Sequence, residues 1–65
     1  MFIDATLVSG CGKLTFNASS AYEAMQKLVV TLKNKHRGES VTIRQSDSGR
    51  HLYVNQSGDT YVIAV

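Results

Sequence analysis

Only one stretch of the chain carries a helical period. From Ser20 to His36, the residues Ala21, Ala24, Met25, Leu28, Val29 and Leu32 fall on one face at about 100° per residue, while Glu23, Gln26, Lys27 and Asn34 fall on the other. Ser20 followed by Glu23 forms a capping box: the serine hydroxyl accepts from the amide three residues on, and the carboxylate reaches back to the cap amide. Glu23 and Lys27 stand four apart in the favourable order. Lys33, Lys35 and Arg37 collect where the helix macrodipole is negative, and Gly38 supplies a left-handed stop. Val30 alone breaks the pattern, projecting opposite the stripe. The stripe is wide enough to lie on a sheet, and the rest of the chain has the period of strands and turns.

Phe2–Val8 has apolar residues on both parities, with Ile3, Ala5 and Leu7 on one face and Phe2 and Val8 on the other, which predicts a strand buried on more than one side. Ser9–Lys13, with two glycines, turns the chain. Lys13–Asn17 alternates with Leu14 and Phe16 inward and closes a hairpin. After the helix, Val41–Ser46 alternates again, Asp47–Gly49 turns, and His51–Asn55 follows with Leu52 and Val54 facing one way. Ser57–Asp59 is the last turn, and Thr60–Val65 is a nearly continuous apolar strand. The order ββαβββ predicts an α+β fold in a single domain spanning residues 1–65, with one helix packed on one face of a mostly antiparallel five-stranded sheet.

The two terminal strands are the most apolar, and an apolar strand at a sheet edge is an aggregation liability. Placing them side by side gives the spatial order 2-1-5-4-3. In topology this arrangement resembles the β-grasp architecture of ubiquitin and of immunoglobulin-binding bacterial domains, where a hairpin, a helix and a C-terminal strand are combined in the same way. The diglycine tail that ubiquitin-like conjugation uses is missing from Ile63-Ala64-Val65. The competing order, 2-1-3-4-5, is wholly antiparallel, puts the last strand at the edge and predicts strand addition there.

Length and charge narrow the classes. A chain of 65 residues buries only ~60% of the surface it exposes when unfolded, so its stability is expected to be modest. With a single cysteine, Cys11, it can form no internal disulfide, which points to a reducing, cytoplasmic setting. Met1-Phe2-Ile3-Asp4 lacks a basic leader, and no apolar run approaches the ~20 residues of a membrane span. A net charge of +2 falls short of the dense basic face of a dedicated nucleic-acid binder.

Candidate chemistry is sparse. Cys11 sits between two glycines with no base or positive field placed beside it. The spacing of His36, His51 and Cys11 matches no metal motif. The five acidic residues, Asp4, Glu23, Glu39, Asp47 and Asp59, contain no evident acid/base pair. Gly10-x-Gly12-Lys13 leads into a strand and lacks the spacing of a phosphate loop. The expectation is a protein that is not an enzyme and that has neither cofactor nor metal.

Two surfaces remain. One is the sheet face turned away from the helix, where Arg44, His51 and Tyr53 fall, with Thr42, Asn55 and, according to register, Tyr61 or its neighbours. Tyr and Arg are the residue types that most often anchor interfaces. The other is the basic cluster Lys33, Lys35, His36 and Arg37, with Arg44 and Arg50 in reach. The first leads to a small non-enzymatic protein-binding module, of the kind that phages and mobile elements use as regulators or inhibitors of a larger host complex. The alternative is a nucleic-acid-binding module using the basic helix end or the open face. Either could be a monomer or a homodimer through an edge strand.

Overall fold

The computed structural model covers all of Met1–Val65 and contains β1 (Phe2–Leu7), β2 (Lys13–Asn17), α1 (Ala21–Lys35), β3 (Thr42–Gln45), β4 (His51–Gln56) and β5 (Asp59–Ala64). One sheet of order β2-β1-β5-β4-β3 carries the helix on one face, as the apolar content of the terminal strands predicts. Every neighbouring pair is antiparallel, β1 against β5 included. Wholly antiparallel pairing therefore does not require β5 at the edge. The helix carries the chain from the end of β2 back to the opposite end of the sheet, so β3 starts where β2 started, and two hairpins then deliver β5 antiparallel to β1.

The helix starts as its sequence dictates, with one amendment. The Ser20 hydroxyl accepts from the Glu23 amide at 3.2 Å. The Glu23 carboxylate accepts from the amide and the hydroxyl of Ser19, not from the amide of Ser20. A second serine just before the cap offers two donors where the cap residue offers one. The Ser19 bonds hold the Glu23 carboxyl below its ordinary value of 4.5, and Lys27 at 3.7 Å adds to the effect. The helix ends at Lys35, and Gly38, at φ 87°, turns the chain toward β3 in the left-handed region.

Ala21, Ala24, Leu28 and Leu32 are buried beneath the helix, against Ala5, Ala18, Leu52, Val54, Tyr61 and Ile63. Four alanines in that set let the helix sit close, and Leu28, Ile63 and Val54 are the largest side chains fully enclosed. The expectation that β1 is buried on more than one side is overturned. Phe2 and Val8 are 77% and 60% exposed, because they fall on the face that no element covers. Val30 is exposed, as the helical period requires.

Gln56 is the buried polar residue of the core region. Its Nε2 donates to the carbonyls of His36 and Glu39 at 3.4 and 3.3 Å, tying the end of β4 to the loop that leads into β3, and its Oε1 has no partner. At the helix centre, Leu28→Ala should lower the free energy of unfolding in urea by about 2–5 kcal/mol. Val30→Ala should stay within about 0.5 kcal/mol. Equal losses at the two positions would show that the helix is not seated by this stripe.

Candidate functional site

The sheet face opposite the helix is uncovered. Pairing places Lys13 beside Thr6, Thr6 beside Val62, Val62 beside Tyr53 and Tyr53 beside Arg44, so one row of side chains crosses all five strands. At its β3 end the Arg44 guanidinium lies over the Tyr53 ring, 5.1 Å from the centroid. His51, two residues before Tyr53 on the same face of β4, brings its ring centroid to 6.4 Å with the planes tilted by 37°. Strand alternation puts these three together: odd positions of β4 and even positions of β3 share the face.

This cluster stands as a ridge between two depressions. One side is a shallow hollow of about 330 Å³ lined by Thr42, Arg44, Tyr53, Asn55 and Thr60. On the other side β1 and β5 pair at Thr6–Val62 and Leu7–Tyr61, with the Val8 amide donating to the Thr60 carbonyl beyond them. A cleft of about 430 Å³ lies over the other end of the two strands, walled by Phe2, Ile3, Asp4, Thr6, His51, Val62 and Ala64. Asp4 in that wall accepts from the Thr15 hydroxyl at 2.7 Å and pairs with Lys13 at 3.4 Å. The Thr15 bond, more than Lys13, holds its carboxyl below the ordinary 3.8.

Tyr61 does not share the site. It is 7% exposed and lies beneath the helix, and its neighbours Thr60 and Val62 occupy the open face. Ser57 and Gly58, both at positive φ, form a two-residue turn that pairs Gln56 with Asp59 and thereby Val54 with Tyr61. That register sends Tyr61 inward. Sequence inspection also missed Phe2 and Asp4 as members of this surface. The parity of β1, with Ile3, Ala5 and Leu7 inward, is the signal that would have placed them.

The basic cluster is divided. Lys33, Lys35, His36 and Arg37 sit at the helix end beside Gln56, whose side chain bonds the His36 carbonyl. Arg50 lies at the other end of β4, where its carbonyl accepts from the Val65 amide. Five residue steps of strand, roughly 17 Å, separate the two ends. Arg44 is on the face away from the helix and joins neither group. Cys11 is exposed in the β1–β2 turn, and no three of the His, Cys, Asp and Glu side chains converge. No helix is long and apolar enough to cross a membrane.

No family model, curated protein or solved structure matches the chain.

The lowered values of Asp4 and Glu23 fix the sign of an acid effect. A carboxyl whose value falls on folding contributes stability that is present above its unfolded value and lost as pH falls through the folded one. Denaturation midpoints should therefore fall as the pH drops below about 4.5. In the variant carrying both Asp4→Asn and Glu23→Gln that decline should be shallower, and parallel declines would refute the assignment.

Proposed function

We propose that the chain is a small non-enzymatic protein-binding module that receives a protein partner on its open sheet face, in the manner of phage and mobile-element regulators or inhibitors of a larger host complex. The observation that carries this reading is the Arg44–Tyr53–His51 ridge. Arg and Tyr dominate the energetics of protein interfaces when they are packed and lose water on binding. Here the guanidinium is already stacked on the ring, which reduces the side-chain ordering that association must offset. Hollows on either side give a partner's side chains somewhere to insert.

Charge favours a protein over a nucleic acid. Counterion release from phosphates needs several cations on one track. The cations of this chain are distributed over the middle and end of the helix, the β3–β4 turn and the open face; Lys27 is paired with Glu23 and Lys13 with Asp4.

Affinity capture from an extract of the source cells, with and without nuclease, tests the proposal. Capture should survive nuclease. It should fall by at least about tenfold for Tyr53→Ala and for Arg44→Ala, the scale of an interface hot spot. Val30→Ser, on the outward face of the helix, should leave it unchanged. Undiminished capture by both folded face variants would place the interface elsewhere, and capture abolished by nuclease would replace the protein partner with a nucleic acid.

A further inference from the structure

The two edges of the sheet are not equivalent. On β2 the carbonyl of Asn17 accepts from the Lys27 ammonium, so a side chain of the helix occupies part of that edge. The helix packs on β1, β2, β4 and β5, and its one hydrogen bond to β3 is the 3.4 Å bond from Gln45 Nε2 to the Tyr22 hydroxyl. Ile43, on the helix side of β3, is left 47% exposed. The strand carries no proline, no lysine and no bulge of the kind that blunts a sheet edge.

The direction of the edge groups follows from one bond. The Ser46 amide donates to the His51 carbonyl, so the backbone groups of Ser46, and by alternation those of Arg44 and Thr42, point to β4. Those of Val41, Ile43 and Gln45 point outward and find no partner among the remaining turn, loop and cap bonds.

We propose that β3 is a self-association edge on which a second copy of this chain pairs antiparallel about a two-fold axis, Ile43 opposite Ile43. This proposal is independent of the partner assigned to the open face. The register is selected on physical grounds. Residues directly opposite in an antiparallel pair lie on the same face, so a two-fold axis sets one residue of β3 against itself, and the two central positions that pair the most of this short strand are Ile43 and Arg44. The second choice opposes two guanidiniums at a non-hydrogen-bonded pair, where side chains come closest and like charges destabilise. The first joins the outward groups of Val41, Ile43 and Gln45 in about six backbone hydrogen bonds. It also buries the half-exposed isoleucines against each other and sets Arg44 across from Thr42 of the second copy. A contact this short buries less than the ~1,000 Å² of a stable complex, so the dimer is weak.

Sedimentation and amide hydrogen exchange on the full chain, from micromolar to millimolar concentration under reducing conditions, test it. Mass should rise toward two copies, and exchange at Val41, Ile43 and Gln45 should slow as it does. Ile43→Pro, which removes an outward N–H and no ladder bond, should weaken association by at least about tenfold. Thr42→Glu sets a carboxylate across from Arg44 of the second copy and should tighten association about three- to tenfold. Val8→Glu, the same charge change far from β3, should not alter it. A monomer at millimolar concentration, an unaltered constant for Thr42→Glu, or concentration-dependent protection on β2 in place of β3 would overturn the proposal. Should Ile43→Pro fail to fold, Thr42→Glu decides alone.

Discussion

A helix of fifteen residues is about 22 Å long and, with its side chains, about 10 Å across, whereas five strands spaced about 4.8 Å apart need close to 20 Å of cover. The helix crosses from the β2 side toward β4 and stops short of β3. Close seating on Ala5, Ala18, Ala21 and Ala24 brings Leu28 into full contact with Ile63 and Val54, but it also narrows the strip of sheet that one helix can shield. The bare β3 and the half-exposed Ile43 are consequences of that one mismatch in size, and the opposite face is open because the chain's one helix lies on the other side. A second helix beside the first would remove both exposures on the covered side and leave the opposite face as it is.

What the sequence discloses and what it conceals divide along the same line. The helix is legible because its stripe has a period that only a helix uses, and the central place of β5 is legible because six consecutive residues with almost no charge cannot be left at an edge. Faces within β1 and β5 are concealed, since both parities of those strands carry apolar side chains. Tyr61 and Val62 are equally plausible core residues by type, and the choice is made by the Ser57–Gly58 turn, whose two positive φ angles set Gln56 against Asp59. Reading that turn as a two-residue connection before assigning faces would have sent Tyr61 inward. Arg44, His51 and Tyr53 were legible together because β3 and β4 alternate strictly. The separation of Arg50 from the helix-end cations was not, since it depends on which way β4 runs.

Gln56 shows how a residue with no pattern signal can carry structural weight. It lies at the last position of β4, 2% exposed, and its amide nitrogen bridges the carbonyls of His36 and Glu39. Those carbonyls belong to the helix cap and the following loop; that of His36 also accepts from the Glu39 amide at 3.3 Å, whereas that of Glu39 has no backbone donor. The bridge fixes the path of the loop and with it the start of β3, the strand that the helix does not hold. Its Oε1 finds no donor from the protein in that position. The edge that the helix leaves uncovered is thus held by the sheet and by one glutamine.

The open face and the free edge share one residue, Arg44, and otherwise use different atoms of the molecule. Backbone groups at the edge of β3 lie in the plane of the sheet, while Arg44, Tyr53 and His51 stand perpendicular to it. A strand added at β3 therefore uses none of the atoms on which a ligand of the face would rest. It extends that face by another row. The cleft between β1 and β5 is separated from β3 by β5 and β4, and its nearest lining residue, His51 on β4, does not reach the outer edge of β3. Any coupling between them would have to pass through Arg44, the residue that belongs to both. Its guanidinium can remain on the Tyr53 ring or swing toward Thr42 of the second copy across the edge, and a partner that holds it on Tyr53 would withhold it from that contact.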